Sequence, residues 1–275
     1  MHSFNILKKL GKGTFGTVYL CERKHNKLKV VVKEVNADLN GEQTETAKNE
    51  VSVLKSLKHP NIVLYYDSFV SNGTFYIVME FSNKGSLHEF IKEKRPNLVH
   101  QQVVLNLFCQ ILNGLNHIHS KNIIHRDLKS ENIFLTGLQS DVVKIGDFGI
   151  SKILQNDTKT QTFIGTANYL APEMCHGKPY NTKSDIWSLG CILYELCALE
   201  RMFDGPVANV VYSISTGRKK LINPSYYESA VQYLVEVMLQ VEPANRPDTI
   251  SLMKFPILFK TLYVLGATLG CIIVN

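Results

Sequence analysis

The chain has 275 residues, of which 45% are hydrophobic and 20% charged, and its formal net charge at pH 7 is +6. This balance is typical of a folded protein with a sizeable core and excludes an intrinsically disordered chain. At roughly 150 residues per domain, the length predicts about two domains. The mild positive charge is compatible with anionic partners, but no basic run is long enough to indicate nucleic acid.

Residues 1–80 have the pattern of a strand-rich unit. β-Branched and apolar residues fill 28–35, and the apolar segments 69–70 and 75–79 flank a Ser-Asn-Gly turn, which predicts a hairpin. Between them, residues from about 43 to 57 carry apolar side chains at helical spacing. The polar segment 82–85 interrupts the pattern and predicts a link between two lobes, with a hinge near residues 80–83.

Most of the remaining chain has helical patterns. Ser86 and Glu89 form a capping-box pattern, and 101–119 shows long apolar periodicity. Residues 184–197 are apolar on almost every side, which predicts a helix buried inside a large lobe. The predicted fold class is therefore α+β. It comprises a small β-rich lobe with one regulatory helix, a large mainly helical lobe and a hydrophobic tail, with bounds of 4–82, 83–260 and 261–275.

Cysteine and histidine positions indicate structural roles. The six cysteines form no Cys-x-x-Cys pair, and no signal peptide precedes the first strand pattern, which predicts reduced thiols in the cytosol. His117 and His119 lie two residues apart on a predicted helix and so point to different faces. We expect satisfied structural histidines there rather than metal ligands.

A glycine-rich segment near the N-terminus predicts a phosphate-binding turn. Gly11, Gly13 and Gly16 have the Gly-x-Gly-x-x-Gly spacing, which lets a backbone approach phosphates closely. A dinucleotide-binding fold uses the same spacing but needs a helix after the third glycine, whereas β-rich residues follow here. A hairpin over the phosphates fits better, and a plain tight turn is the alternative. The predicted nucleotide-binding residues are Leu10, Gly11, Lys12, Gly13, Thr14, Phe15, Gly16, Thr17, Val18 and Lys33.

Lys33 ends an apolar strand and is a candidate point charge for the first two phosphates of a nucleotide. A carboxylate must hold such a lysine in place. Glu50 in the predicted helix is the candidate, and Glu45 is a less well placed alternative. The competing interpretation is an ordinary lysine at the edge of a sheet.

The segment His-Arg-Asp-Leu-Lys-Ser-Glu-Asn at 125–132 predicts a catalytic loop. Asp127 is the predicted base for a substrate hydroxyl, and Lys129 is placed to neutralise the γ-phosphate. Asn132 and Asp147 are predicted to hold Mg2+, which prefers a few protein oxygens together with phosphate and water. A lone Asp or Asn in a loop is usually a cap or turn residue. The ordered set of motifs indicates one apparatus that transfers the terminal phosphoryl group of ATP.

These motifs resemble those of eukaryotic protein kinases over about residues 4–260. Lys129, with the Gly165-Thr166 pair ahead of Ala-Pro-Glu at 171–173, is similar to the serine/threonine-specific class. The resemblance implies ATP and Mg2+ as cofactors and proteins with Ser or Thr acceptors as substrates. An inactive kinase-fold scaffold is the main alternative, and a small-molecule kinase is a weaker one.

The resemblance also assigns structural roles. It implies that Thr166 hydrogen-bonds the catalytic loop, that Arg246 pairs with Glu173 and that Asp185 holds the backbone of the catalytic loop. Val31 departs from the kinase pattern, in which alanine is usual. Its extra methyl groups are expected to narrow the wall against adenine, and this is the one feature that favours the scaffold interpretation.

Finer motifs are similar to those of the NIMA-related kinases. They lie at 58–63, 132–135 and 178–187, and the segment 142–152 looks most like the branch whose kinase domain precedes regulator-of-chromosome-condensation propeller repeats. This resemblance implies a cytoplasmic protein with a cell-cycle or ciliary and cytoskeletal signalling role, at the cytoskeleton, centrosome or cilium. The segment 166–169 differs from the family's Thr-Pro-Tyr-Tyr, from which we expect an altered peptide preference rather than loss of activity.

Arg126 precedes the predicted base and indicates regulation. A buried arginine beside an acid is costly unless an anion pairs with it, and phosphorylation supplies such an anion. The loop 151–163 offers three threonines, Thr158, Thr160 and Thr162, and by resemblance to the family position just before Phe163 we expect Thr162 to be the phosphorylated one. We hypothesise that its phosphate, added by an upstream kinase or by autophosphorylation, meets Arg126 and orders the loop. The alternative is that these threonines are ordinary exposed loop residues.

The C-terminal segment 263–274 carries no charge. A membrane helix needs about 20 apolar residues, and this segment reaches that length only by including Pro256 and Lys260. The sequence therefore favours a terminal helix packed on the large lobe, or a truncated or atypical terminus, over a membrane anchor.

Overall fold

A computed structural model describes residues 1–13, 16–35, 51, 54–138, 141–147 and 167–269. Within these residues, an N-terminal five-stranded antiparallel sheet precedes a mainly helical lobe, which confirms the predicted α+β fold. The sheet has the strand order β1-β2-β3-β5-β4. Its strands are β1 Phe4–Gly13, β2 Gly16–Arg23, β3 Lys29–Val35, β4 Tyr65–Ser71 and β5 Thr74–Glu80.

The second lobe contains a small two-stranded sheet and helices. The strands are β6 Ile133–Thr136 and β7 Val142–Ile145. The helices are α1 Leu87–Lys94, α2 Gln101–Ser120, α3 Pro172–Cys175, α4 Thr182–Ala198, α5 Val207–Thr216, α6 Ser229–Met238, α7 Thr249–Met253 and α8 Pro256–Leu269. Short 3-10 turns lie at Ser130–Asn132, Ala167–Tyr169 and Pro243–Asn245.

The turn between β4 and β5 forms the predicted hairpin. Asn72 and Gly73 have φ of 51° and 73°, and the register pairs Ser71 with Thr74. Two consecutive left-handed residues form the turn type whose twist matches that of antiparallel strands.

The pleat of β3 places its residues on two faces. Val32 is fully buried on one face. Val31 and Lys33 lie on the other, where the register sets them opposite Met79 and Ile77 on β5. Because side chains alternate along a strand, the position of Lys33 on this face follows from the burial of its neighbour.

Only part of the helix predicted over 43–57 lies within the described residues. Positions 51 and 54–56 are helical, and the apolar residues Val51, Leu54 and Leu57 are buried as their spacing predicts. The predicted partner of Lys33, Glu50, lies outside the described residues, as does Glu45.

The large lobe is built on α2 and α4. Ser184 to Cys197 of α4 are all buried, which confirms the helix predicted there. The capping box before α1 is also confirmed. The Glu89 N–H donates to Ser86 Oγ over 3.2 Å, and the Ser86 N–H donates to Glu89 Oε2 over 2.7 Å.

The segment between the two lobes is fixed by backbone and ionic contacts. The Lys84 N–H donates to Leu135 O over 3.0 Å, and the Leu135 N–H donates to Gly85 O over 2.9 Å, so the linker pairs with β6. At the end of β5, Glu80 forms an ion pair of 3.0 Å with Lys144 on β7. The sheet of the small lobe is therefore joined directly to the two-stranded sheet that follows the catalytic loop.

The C-terminal helix α8 packs against α2. Thr261 and Leu262 are buried, and Thr261 Oγ1 accepts a hydrogen bond of 3.1 Å from Gln102 Nε2. The predicted division at residue 260 falls within this helix. Among the described residues, no single helix is both long and apolar enough to cross a membrane. One pair of helical segments, Pro243–Met253 and Pro256–Leu269, which are bent by 47° relative to each other, has the length and composition of a membrane span, but only these two properties indicate one.

The two histidines of α2 differ. His119 Nε2 lies 2.9 Å from Asp185 Oδ2, so this histidine is satisfied as expected. His117 stacks on His59 at 5.0 Å, but its buried Nε2 has no hydrogen-bond partner in the described part of the chain. The prediction that His117 is hydrogen-bonded was therefore wrong for Nε2. Its ring stacks on that of His59 instead.

Candidate active site

The glycine-rich segment joins two antiparallel strands. Gly11 pairs with Val18, and Gly13 pairs with Gly16, whose φ of 137° is a backbone conformation that favours glycine. A strand, not a helix, follows the third glycine, which excludes the dinucleotide-binding arrangement. Of the predicted phosphate-binding residues, Thr14 and Phe15 lie outside the described residues. The hairpin places Leu10, Gly11, Lys12, Gly13, Gly16, Thr17 and Val18 on its two strands.

Lys33 and Asp147 meet between the lobes. The Lys33 Nζ forms an ion pair with Asp147 Oδ1, although the two residues are far apart in the sequence. The lysine side chain is 13% exposed and the aspartate side chain 45%. Asp147 is a non-glycine residue with φ of 49°, so its backbone is strained and must be held by its surroundings.

The contacts of Gly146 explain how Asp147 is held. The Gly146 N–H donates to Asn132 O over 2.9 Å. A Cβ at this position would lie 2.8 Å from Val63 Cγ2 and 3.0 Å from the ring of Phe134. Only glycine fits between these side chains, so the residue before Asp147 fixes the entry of the chain into the site.

A small cavity lies beside the Lys33–Asp147 pair. It is lined by residues of both lobes, including Met79 on β5. The lining residues are Lys33, Leu54, Val63, Tyr65, Ile77, Met79, Gly146 and Asp147.

The catalytic loop brings three predicted residues together. Lys129 Nζ donates to Asp127 Oδ2 over 2.8 Å. Asn132 Nδ2 donates to the same oxygen over 2.8 Å and to the backbone O of Asp127 over 2.8 Å. Two donors therefore fix the orientation of the Asp127 carboxylate, which is itself only 20% exposed.

His125 links this loop to Gly146. Its Nδ1 accepts a hydrogen bond of 3.3 Å from the Asp127 N–H, so the ring proton resides on Nε2, which donates to Gly146 O over 3.1 Å. Burial lowers the pKa of His125, which keeps the ring neutral in this tautomer. The sequence analysis gave His125 no role, but the buried ring positions Asp127 relative to Asp147.

Asp185 in the first turn of α4 hydrogen-bonds to the backbone of the same loop. This fully buried carboxylate accepts hydrogen bonds from the N–H groups of His125, at 2.9 Å, and Arg126, at 3.2 Å. His119 lies 2.9 Å from it. Arg126 has φ of 68°, so Asp185 stabilises a strained turn immediately before Asp127. The role that the resemblance implied for Asp185 is confirmed.

The predicted regulatory residues are described only in part. Thr162 and Thr166 lie in 148–166, outside the described residues. Arg126 is partly buried, and no carboxylate within the described ranges forms an ion pair with its guanidinium.

Glu173 and Arg246 form the ion pair that the resemblance implied. Arg246 Nη2 lies 2.7 Å from Glu173 Oε2, and Arg246 Nη1 lies 2.9 Å from Oε1. The other guanidinium donors reach the backbone oxygens of Gln240, Lys183 and Val241. Burial would raise the pKa of Glu173, but hydrogen bonds from Arg246 and Ser184 outweigh it and lower the pKa below its ordinary value.

A family model for the protein kinase domain matches residues 4–258. The chain belongs to the protein kinase family. It is 40% identical over 272 residues to serine/threonine-protein kinase Nek8 of Danio rerio, covering 98% of this chain and 39% of that protein. It is 41% identical over 261 residues to Nek5 of Homo sapiens, covering 94% and 37%. It is 39% identical over 280 residues to nekl-2 of Caenorhabditis elegans, covering 98% and 78%.

These relatives confirm the predicted NIMA-related, or Nek, family. The chain spans about two fifths of the length of the Nek8 and Nek5 proteins. The comparisons do not test the branch with propeller repeats, which stays a prediction. Membership of the kinase family implies ATP as the phosphoryl donor and proteins as substrates.

The kinase domain also contains a polar cluster that the sequence analysis missed. Ser130 Oγ donates to Glu195 Oε1 over 3.1 Å, and Tyr169 OH donates to the other oxygen of Glu195. Nearby, Arg201 forms an ion pair of 2.7 Å with Glu131. The partners are 26 to 70 residues apart in the chain, so no local sequence signal could have found them.

Proposed function

We propose that this chain is an ATP-dependent serine/threonine protein kinase that transfers the γ-phosphoryl group of Mg-ATP to protein hydroxyls. The observation that supports this most strongly is the set of hydrogen bonds that joins the catalytic loop to the segment carrying Asp147. Asp127, Lys129 and Asn132 form one hydrogen-bonded cluster, and Gly146 ties that cluster to Asp147. Lys33, Asp127, Asn132 and Asp147 are all present, which argues against an inactive scaffold.

The side chains divide the work of positioning and charge compensation. Asp127 would orient the acceptor hydroxyl and receive its proton as the oxygen attacks phosphorus. Lys129, 2.8 Å from Asp127, would neutralise charge on the transferring group. Lys33 would bind the first two phosphates, which requires it to exchange its contact with Asp147 for phosphate oxygens.

The oxygens of Asn132 and Asp147 fit a magnesium ion. Asn132 uses its amide nitrogen toward Asp127, and no hydrogen bond among the described residues uses its Oδ1. Asp147 contacts Lys33 through Oδ1, and its side chain is 45% exposed. One carboxylate and one amide oxygen suit Mg2+, which takes its other ligands from phosphate and water. When bound, the ion would neutralise negative charge on the β- and γ-phosphates.

Phosphate transfer from radiolabelled Mg-ATP to casein tests the proposal. Asp127→Asn should lower transfer by about 10²- to 10⁴-fold, the usual contribution of a general base, while nucleotide binding persists. Asp67→Asn, at an exposed strand position, is the matched control and should transfer at the wild-type rate. Equal transfer by wild type and Asp127→Asn would refute the assignment of the base.

Regulation through Thr162 is part of the proposal. Arg126 is partly buried, and no carboxylate among the described residues forms an ion pair with its guanidinium, which leaves that group available to a phosphate. Thr162→Ala should lose activity in phosphorylated preparations, and adding Arg126→Gln should cause little further loss because both changes remove one contact. Undiminished activity of Thr162→Ala would contradict this regulation.

We further propose a cytoplasmic protein with a cell-cycle or ciliary and cytoskeletal role, at the cytoskeleton, centrosome or cilium. Only the family resemblance supports this location. Microscopy of the tagged full-length protein with centrosomal and ciliary markers tests it, and exclusive labelling of another compartment would refute it.

A further inference from the structure

An acidic side chain beside the catalytic loop has no part in the proposed transfer. Glu131 immediately precedes Asn132 in the 3-10 turn Ser130–Asn132, and its side chain is 33% exposed. It follows Asp127 by four residues, so the two Cα atoms are at most about 14 Å apart. A peptide whose hydroxyl reaches Asp127 therefore brings its neighbouring side chains within range of Glu131.

Glu195, the second acid of the cluster, is directed inward. It is buried at the end of α4 and accepts hydrogen bonds from Ser130 and Tyr169. Burial raises the pKa of Glu195, which favours its neutral form. His88 Nδ1 lies 3.7 Å from it. Glu131 is therefore the acid of this cluster that faces solvent as well as the protein.

Arg201 already occupies the cation position at Glu131. Its Nη2 donates to Glu131 Oε1 over 2.7 Å, and its guanidinium lies 6.0 Å from the centre of the Tyr169 ring. Burial alone would lower the pKa of Arg201, but Tyr169, Glu131 and Glu195 outweigh it and raise the pKa. Arg201 thus stays charged and cancels the charge of Glu131.

The loop that carries Arg201 is held at several points. Arg95 Nε donates to Leu199 O over 2.6 Å, and Lys220 Nζ donates to Arg201 O over 3.1 Å. Asn168 Nδ2 donates to Phe203 O over 2.7 Å, which ties the loop to the segment that also carries Tyr169. A pair between pre-positioned groups loses little side-chain entropy, so an incoming cation gains little by displacing Arg201.

We propose that Arg201 is a specificity residue that occupies the cation-binding carboxylate of Glu131 and so prevents the kinase from selecting substrates with a basic residue near the acceptor. This inference rests on the proposed kinase function. Without Arg201, the free carboxylate would attract an arginine or lysine of the peptide. Without Glu131, the freed Arg201 would instead attract an acidic one.

The test compares serine peptides that differ by one arginine, moved through each position that flanks the acceptor, with the all-alanine parent. For Arg201→Gln, the ratio of kcat/KM for the best arginine peptide to that for the parent should rise about 2- to 5-fold over the wild-type ratio, as for an exposed charge pair. The gain should weaken at high salt. Arg201→Lys should keep the wild-type ratio, and Arg218→Gln, which removes an exposed arginine elsewhere, should leave it unchanged.

Two further variants and a binding measurement complete the design. Adding Glu131→Gln to Arg201→Gln should abolish the gain, and Glu131→Gln alone should favour a peptide with an aspartate. Fluorescence anisotropy of the same peptides measures preference without turnover, so absent transfer with an intact binding preference would count against the kinase function alone. Equal binding and turnover ratios in wild type and Arg201→Gln would overturn the inference. A gain that survives Glu131→Gln would overturn it as well.

Discussion

The buried Glu173–Arg246 pair allows a quantitative prediction. Arg246 is 1% exposed, and its five N–H donors are used by the two carboxylate oxygens and three backbone oxygens. Replacing it with methionine retains much of the volume. It leaves Glu173 with Ser184 as its remaining side-chain donor within the described chain, at 2.7 Å, and three carbonyls without their donor.

The expected cost is large because a buried charge loses its partner. Breaking such a pair typically costs about 3–5 kcal/mol, and the loss of three hydrogen bonds to backbone oxygens adds to that. Arg246→Met should therefore lower the free energy of unfolding by about 5 kcal/mol and the melting temperature by roughly 10 °C. Glu173→Gln keeps an acceptor for Arg246 and should cost less, about 3 kcal/mol. Arg218→Met, at an exposed position, should change stability by less than about 0.5 kcal/mol.

The pH dependence of the penalty provides an internal check. In the wild type, the pKa of Glu173 lies below its ordinary value of 4.5, so its contribution to stability is present above pH 4.5 and is lost as pH falls through the folded pKa. In Arg246→Met, burial without the cation should raise the pKa instead. The difference in stability between the two proteins should therefore shrink on acidification, because a protonated Glu173 needs no partner.

Thermal and urea unfolding of both proteins, from neutral pH down to about 4, measure these quantities. A penalty below about 1 kcal/mol at neutral pH, or one that grows on acidification, would refute the reasoning.

Two other predictions concern the joint between the lobes. Gly146→Ala places a Cβ 2.8 Å from Val63 Cγ2 and should cost about 1–3 kcal/mol of stability and weaken nucleotide binding. Gly11→Ala, with nothing within 4 Å, is the stability control, and equal melting temperatures of the two variants would contradict the clash. Burial, His117 and Lys144 lower the pKa of His59 from 6.5 to about 4, so stability should fall by at most about 3 kcal/mol as pH drops from 6.5 to 4. His59→Asn should flatten that slope, and an unchanged slope would assign it to other groups.

Features set by neighbours in the chain were predictable from the sequence. The Asn72-Gly73 turn and the Ser86/Glu89 capping box each depend on a few consecutive residues whose backbone preferences agree with the fold. The all-apolar pattern of α4 likewise predicted its burial, because a helix without a polar face must lie inside the protein.

Contacts between distant segments were not predictable in this way. The ion pair of Lys33 with Asp147 spans 114 residues, and that of Arg201 with Glu131 spans 70. Taken alone, each of these charged residues could lie at an ordinary surface position. Only the folded structure shows which oppositely charged side chain it pairs with. Family resemblance supplied Asp185 and the Arg246–Glu173 pair, but it did not point to Arg201.

One buried helix, α4, carries contacts at both of its ends. Asp185 in its first turn holds the catalytic loop, and Glu195 near its last turn holds Ser130 and Tyr169. At 1.5 Å per residue, the two carboxylates are separated by about 15 Å along the axis. The helix therefore fixes the distance between the catalytic loop, which Asp185 contacts, and the Ser130–Tyr169 cluster, which Glu195 contacts. If the proposed role of Arg201 is right, substitutions at this position would alter peptide preference without changing the contacts that Asp185 makes with the catalytic loop.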